Sequence, residues 1–202
     1  MRSWNDFYHQ TATRAPSALL AKALALAPER TSAPWAVDLG CGAGNETRQL
    51  LDAGWHVLAI DKEPGAIALT TATCPAEKHG RLTTALASFE QMPPLPRSGL
   101  IHAGLSLPFC RPGHFALLWD HIRCALIPGG VFVGHFFGVR HGWSALENLT
   151  LHTEQDIRGL CGGMEIALLR ETETLIERDD GPLNWHRFDL IARNPETIAV
   201  TR

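Results

Sequence analysis

The sequence predicts an α/β fold in which helices cover both faces of a mostly parallel sheet. A short apolar run at residues 35–37 leads into a glycine-rich turn and then into a helix-like segment that continues to residue 51. Strand-like and helix-like runs then alternate up to residue 137, which is typical of parallel strands joined by right-handed crossovers. The last two extended runs flank Asp-Gly-Pro, which predicts a terminal antiparallel hairpin.

Helix and strand signals follow one another along the chain. A first helix begins at Pro16, and Gly54 is predicted to end the helix that follows the glycine turn. The segment Pro112 to Ile127 places five large apolar side chains on one helical face. Thr153 and Asp156 form a capping-box pattern at the start of a short helix. The seven predicted strands are Trp35 to Leu39, Trp55 to Ile60, Arg81 to Ala87, Leu100 to Gly104, Val131 to Phe137, Glu165 to Glu177 and Trp185 to Ala192.

The most specific signal is the stretch VDLGCGAGNET at residues 37 to 47. Its three glycines, which permit positive φ and the close approach of a ligand, are Gly40, Gly42 and Gly44. A pyrophosphate-binding turn has the spacing G-x-G-x-x-G, but Asn45 stands at the third position and Glu46 follows it. The carboxylates of Asp38 and Glu46 would repel a phosphate, and the site is therefore predicted to take a cationic ligand.

The pattern D-x-G-x-G-x-G, which begins at Asp38, resembles motif I of the class I S-adenosylmethionine-dependent methyltransferases. The later segments ASFEQMP, LPFC and PGGVF are most similar to the small tellurite-resistance-type branch. This resemblance implies a Rossmann-like three-layer sandwich with a seven-stranded, mostly parallel sheet. It further implies S-adenosyl-L-methionine as the cofactor, S-adenosyl-L-homocysteine as its product, and a small-molecule acceptor. We expect one methyltransferase domain over residues 1–202, with a helical lid and scaffold in 1–30 and the sheet core in 31–202.

The resemblance also implies which residues hold the cofactor. Asp61, which closes the second predicted strand, fits the acid that accepts hydrogen bonds from both ribose hydroxyls. Ser88 and Glu90 are both open as partners of the adenine amino group, and Phe89 either stacks on the base or belongs to the core. The aromatic segment around Tyr8 either closes over the cofactor or covers the sheet edge. The predicted set is Tyr8, Asp38, Gly40, Cys41, Gly42, Gly44, Asp61, Lys62, Ser88, Phe89, Glu90 and Leu105.

The tail that begins at Leu105 should border the reacting methyl group, since ligands bind outside the carboxyl ends of parallel strands. It lacks the Asn or Asp of DNA and protein amide N-methyltransferases, which counts against planar amide or base amino acceptors. A general base is needed only if the acceptor carries a proton. We therefore assign no catalytic residue, leave His135, His141 and His186 as unranked candidates, and interpret His102 as a core histidine.

Composition excludes several other classes of protein. The 202 residues are 45% hydrophobic and carry a formal charge of −3. The basic residues are spread along the chain and form no cluster, so we expect no binding to nucleic acid or to a membrane. The five cysteines show no metal-type spacing, and we expect a cytoplasmic protein with no metal site. Two alternative functions stay open at this point, a nicotinamide-dependent oxidoreductase and a cofactor-binding protein without turnover.

Overall fold

The computed structural model describes residues 14–15, 17–29, 34–178 and 181–196. The α-helices within these residues are α1 (Ala18–Leu24), α2 (Asn45–Asp52), α3 (Pro64–Thr73), α4 (Pro112–Ala125) and α5 (Glu154–Leu160). The strands are β1 (Trp35–Leu39), β2 (His56–Asp61), β3 (Leu82–Leu86), β4 (Ser98–Ala103), β5 (Leu126–Gly138), β6 (Leu151–His152), β7 (Glu165–Ile176) and β8 (Leu183–Arg193). Short 3₁₀ segments lie at Ala76–Arg81, Phe89–Gln91 and Leu107–Phe109.

The strands form one sheet with the order β3-β2-β1-β4-β5-β8-β7. Strands β1 to β5 pair in parallel, whereas β8 runs antiparallel to β5 and β7 runs antiparallel to β8. The predicted α/β fold with a terminal hairpin is confirmed. The two-residue β6, which pairs with β5 outside this order, is an additional strand that the sequence does not predict, because so short a strand has no alternating pattern of its own.

Apolar side chains cover both faces of the sheet and form the predicted three layers. On one face, Phe115, Trp119 and Ile122 of α4 pack with α5 residues in one core cluster. On the other face, a second core cluster contains apolar residues of α1 and α2, such as Leu20 and Leu50. Each face therefore buries the apolar stripe of its helices. The carboxyl ends of β1, β2 and β4 are left at one edge of the sheet, where the site lies.

Two predicted helix boundaries are confirmed and one is wrong. Gly54 has φ 93° just after α2, and Thr153 and Asp156 form a reciprocal capping box at α5. The predicted helix from Pro112 instead ends at Ala125, and β5 begins directly at Leu126. Leu126 pairs with Ser98 at the start of β4, just before the register shifts, so sheet pairing ends the helix before the Pro-Gly-Gly segment is reached.

Within the described part of the chain, no helix is long and apolar enough to cross a membrane. All five cysteines are free thiols, and only Cys124 is exposed.

One buried histidine makes the stability of the fold depend on pH. His152 packs with its ring centroid 4.6 Å from that of Phe115 and 5.1 Å from that of Phe136. Burial lowers the pKa of His152 to about 4, because it disfavours the imidazolium form. The unfolded chain, in which a histidine has a pKa of about 6.5, therefore takes up a proton that the folded chain excludes. Stability is full above the unfolded pKa and is lost as the pH falls from about 6.5 to about 4.

We predict that in His152→Leu the free energy of unfolding falls less steeply with decreasing pH. The change in slope corresponds to about one proton, since the buried imidazole that takes up a proton on unfolding is removed. The measurement is the free energy of unfolding in urea between pH 7.5 and pH 4.5. The control is His114→Leu, which changes an exposed histidine. Equal pH slopes for the wild type and His152→Leu would contradict the prediction.

Candidate functional site

The glycine turn follows β1 at the carboxyl edge of the sheet. Gly40, Gly42 and Gly44 have φ values of 74°, 51° and 77°, which favour glycine over residues that carry a Cβ. The turn uses four of its backbone N–H groups inside the protein. Gly40 N and Cys41 N donate to Ile60 O at 2.8 and 3.0 Å, Gly44 N donates to Cys41 O at 2.9 Å, and Gly42 N donates to a carboxylate described below. These N–H groups are therefore not available as donors to a phosphate, and the turn instead offers a ligand a surface with few side chains.

Two of these glycines are also required by space. A Cβ at position 40 would lie 2.3 Å from Ser106 Cβ, and a Cβ at position 44 would lie 2.9 Å from Thr70 Oγ1. The opposing side chains are held in place, since Ser106 Oγ donates to Leu39 O at 2.5 Å and Thr70 Oγ1 donates to Gly42 O at 3.1 Å. The turn is thus packed between the β4 tail and α3.

Asp61 connects the end of β2 to the glycine turn. Its Oδ2 accepts a hydrogen bond from Gly42 N at 3.0 Å, and its Oδ1 accepts one from Glu63 N at 3.0 Å. Burial raises the pKa of Asp61 from its ordinary value although both backbone N–H groups oppose this shift. Each carboxylate oxygen can accept a further hydrogen bond. The structure therefore brings the predicted acid and the glycine turn together.

Asp38, the acid at the start of the motif, is occupied by protein partners. Its Oδ2 accepts a hydrogen bond from Thr47 Oγ1 at 2.6 Å, and its Oδ1 lies 2.8 Å from His102 Nδ1. The residue is only 1% exposed. Its charge therefore acts between β1, α2 and β4, and a direct contact of Asp38 with a ligand stays a prediction.

Cys41 and Lys62 flank the turn in opposite environments. Cys41 is buried, and its Sγ lies 3.5 Å from Thr70 Oγ1. Burial, followed by the nearby charge of Asp38, raises the pKa of this thiol, so Cys41 packs as a neutral residue. Lys62 is exposed.

The predicted adenine-binding residues follow β3. Ser88 precedes a short 3₁₀ segment, and Phe89 packs against the α4-side core while it stays partly exposed. Glu90 Oε1 accepts a hydrogen bond from Arg111 N at 3.2 Å. Burial raises the pKa of Glu90, but hydrogen bonds from its own backbone, from Arg111 N and from Ser88 outweigh it and lower the pKa overall. The carboxylate of Glu90 is thus partly committed to the residue that caps α4 and to Ser88.

Leu105 adopts an unusual backbone conformation at the end of β4. Its φ is 57°, and within the described residues it is the one non-glycine residue with positive φ. A leucine in this region costs about 1 to 2 kcal/mol, and such strain is concentrated at functional sites. Leu105 directly precedes Ser106, which packs on Gly40, and this packing holds the strained residue beside the glycine turn.

A cavity of about 270 Å³ lies next to the turn and beneath the start of α1. Of the predicted cofactor residues, Leu105 lines it, whereas Asp61, Ser88, Phe89 and Glu90 do not. The polar side chains that line it come from six segments of the chain, and they are Arg14, Ser17, Glu46, His102, His135, Arg170, Arg187 and Asp189. Sequence analysis missed its arginines and Asp189, because neither spacing nor motif connects residues so far apart in the chain.

Opposite charges meet within this cavity. Asp189 is 1% exposed, and its two oxygens lie 2.5 Å from Arg170 Nη2 and 3.0 Å from Arg187 Nε. Arg187 Nε is not aligned for a hydrogen bond with that oxygen. Arg14 pairs with Glu46 at 2.5 Å. Three arginines against two carboxylates leave the lining residues with a formal excess of one positive charge.

The structure separates the three candidate bases. His135 lines the cavity, with its Nε2 3.5 Å from Asp189 Oδ1. His141 is fully buried in an aromatic cluster away from the cavity. His186 is also buried. Both of its ring nitrogens have protein partners: Nδ1 accepts a hydrogen bond from Arg140 N at 3.1 Å, and Nε2 lies 2.7 Å from Glu171 Oε1. Tyr8 and the rest of the predicted aromatic lid lie outside the described residues.

Comparisons with known proteins identify a matching family model and solved structures of the same fold. Residues 36–130 match the family model described as a methyltransferase domain. No curated protein matches the chain significantly.

Solved structures share the fold at low sequence identity. The N-methyltransferase NodS from Bradyrhizobium japonicum WM9 is 19% identical with a TM-score of 0.67, over 95% of this chain and 98% of that one. TehB from Haemophilus influenzae, a tellurite-resistance-type neighbour, is 16% identical with a TM-score of 0.72, over 95% of this chain and 67% of that one. Magnesium protoporphyrin IX methyltransferase (ChlM) from Synechocystis PCC 6803 is 17% identical with a TM-score of 0.60, and the match covers 94% of this chain and 79% of that one.

We predict that Gly40→Ala destabilises the turn and lowers its affinity for a ligand, because a Cβ there would overlap Ser106 and prefer a different φ. Thermal unfolding should show a lower Tm than that of the wild type. Gly113→Ala is the matched control, since a Cβ at position 113 meets nothing within 4 Å. A Gly40→Ala protein as stable as the control would contradict the packing described for the turn.

Proposed function

We propose that this chain, a class I S-adenosylmethionine-dependent methyltransferase, transfers the methyl group of S-adenosyl-L-methionine to a small-molecule acceptor. The observation that carries the proposal is the direct contact between the Asp61 carboxylate and the glycine turn at the carboxyl edge of the sheet. We treat residues 1–202 as a single domain, with a lid and scaffold in 1–30 and the sheet core in 31–202.

The residues of the turn fit this cofactor. Asp61 keeps acceptor positions for two ribose hydroxyls, since each of its oxygens accepts one backbone N–H and can accept another bond. The amides of the turn are largely used inside the protein, and Glu46 stands in the first turn of α2. Both features suit a cationic ligand better than a pyrophosphate. Ser88 and Phe89 follow β3 where the adenine would lie.

Structures of the same fold contain this cofactor or its product. The ChlM structure is described with bound SAM, and a NodS structure, 17% identical to this chain, is described in complex with S-adenosyl-L-homocysteine. These observations support the choice of S-adenosylmethionine over a nicotinamide cofactor.

The chemistry places modest demands on the protein. When bound, the cofactor supplies a methyl group already activated on a sulfonium. The protein's task is then to align the acceptor with it and to exclude water, with the reacting atoms about 3 to 3.5 Å apart. Leu105, which is held in its strained conformation beside the turn, provides an apolar wall for this purpose.

The cavity beside the turn supports a small acceptor. Its volume of about 270 Å³ suits a small molecule, and it lies at the carboxyl end of β4, the position at which parallel sheets bind their ligands. We propose this cavity as the acceptor site.

Isothermal titration calorimetry with S-adenosylhomocysteine and with NAD tests the cofactor directly. We expect S-adenosylhomocysteine to bind and NAD not to bind. Tight NAD binding without S-adenosylhomocysteine binding would overturn the proposal in favour of an oxidoreductase.

We further predict that Asp61→Ala weakens S-adenosylhomocysteine binding by about 1 to 3 kcal/mol, because charge-assisted hydrogen bonds to the ribose are lost. The same calorimetric titration measures this change. Glu63→Ala is the control for the loss of a nearby acid, since the hydrogen bond from Glu63 to Asp61 comes from the backbone N–H and the Glu63 side chain acts on Asp61 through its charge. Equal affinities for Asp61→Ala and the wild type would remove Asp61 from the site.

A further inference from the structure

The cavity contains a histidine–carboxylate pair that the proposed cofactor contacts do not use. His102 Nδ1 lies 2.8 Å from Asp38 Oδ1, and the two side chains are only 3% and 1% exposed. The second Asp38 oxygen is fixed by the Thr47 hydroxyl. An ionised carboxylate can only accept a hydrogen bond, so Nδ1 carries the hydrogen. In the neutral imidazole the lone pair then lies on Nε2.

The opposite edge of the His102 ring is directed towards Gly104. Both residues line the cavity, and a Cβ at position 104 would lie 2.7 Å from His102 Cε1 and 3.0 Å from Nε2. Since the φ of Gly104 is outside the left-handed region, glycine is required here by space and not by backbone conformation. No residue in the described ranges forms a hydrogen bond with Nε2. The absence of a side chain at position 104 therefore leaves this edge of the ring open.

The second histidine of the cavity is a poorer proton acceptor. Burial, followed by the nearby Arg187 guanidinium, lowers the pKa of His135 to about 3 although Asp189 opposes the shift. His102 has a hydrogen-bonded carboxylate as its immediate partner and no arginine between them. Of the other charged residues around the cavity, Arg14 and Glu46 are paired with each other, and Arg170 is paired with Asp189. Of the two histidines, His102 is the one that has a directly hydrogen-bonded carboxylate.

We infer that His102 is the general base of the reaction, with Asp38 as its positioning residue, and that the acceptor is a nucleophile that loses a proton, such as a phenolic hydroxyl or a thiol. This inference rests on the proposed function. The acceptor atom forms a bond to the methyl carbon as the carbon–sulfur bond breaks, and the electron pair of that bond stays on sulfur. The proton of the acceptor passes to His102 Nε2, and the imidazolium later releases it to water.

A crystal structure of the wild-type protein with S-adenosylhomocysteine tests the geometry without any variant. We expect the sulfur of the product to face the cavity and His102 Nε2 to stay free of the cofactor. An amino or carboxylate group of the product bonded to Nε2 would overturn the inference while leaving the proposed function intact. Binding of the product away from the glycine turn would overturn both.

Transfer of a radiolabelled methyl group to matched probes tests the chemistry. The probes are phenol and 2-mercaptoethanol, which lose a proton on methylation, against pyridine and tellurite, whose attacking lone pairs carry none. We expect His102→Gln to lower kcat/KM for the proton-bearing probes by about 10² to 10⁴-fold, with an unchanged Kd for S-adenosylhomocysteine. His114→Gln, at an exposed position, is the control.

The pH dependence separates the role of Asp38 from a merely structural one. Asp38→Asn should move the acid limb of the pH–rate profile to lower pH, because the imidazolium loses its neighbouring negative charge. An equal loss of rate in His102→Gln for all four probes, or no loss for phenol and 2-mercaptoethanol, would overturn the inference. If none of the four probes is methylated, the crystal structure of the product complex decides it.

Discussion

The buried carboxylate of Asp38 is the constraint on which the site depends. A buried charge is costly unless it is fully hydrogen-bonded, and Asp38 meets this condition through Thr47 of α2 and His102 of β4. These contacts connect the strand before the glycine turn, the helix after it and the neighbouring strand. They therefore hold the carboxyl edge of β1 and β4 in one arrangement, against which Gly40 and Ser106 pack.

A second carboxylate performs the corresponding task on the other side of the turn. Asp61 holds Gly42 N and the start of α3, so the turn lies between two acids with different roles. The acid of β1 is enclosed by protein, whereas the acid of β2 keeps acceptor positions for a ligand. Under the proposed function, one glycine motif would thus combine a rigid support with a cofactor contact, and a turn whose amides are mostly satisfied would suit a cation.

Local patterns in the sequence were sufficient to predict most of the fold. The strand that ends at Leu39, the positive φ at Gly54 and the Thr153–Asp156 capping box all depend on neighbours within a few residues. The candidate site was predictable only where it coincides with such a motif. His102 lies 64 positions from Asp38, and Arg187 reaches the cavity from the terminal hairpin. Because these pairs form only when the sheet is assembled, the sequence suggested a plain core histidine and gave no signal for the arginines.

The central claim is that the glycine turn and Asp61 together hold S-adenosylmethionine. Hydrogen–deuterium exchange, measured with and without saturating S-adenosylhomocysteine, tests it most directly because it locates the bound product on the chain. The account predicts slower exchange in peptides that cover residues 39–50 and 58–64, with no change in the β7 peptide 165–176. Protection confined to the β7 and β8 hairpin, with the glycine turn unchanged, would contradict it.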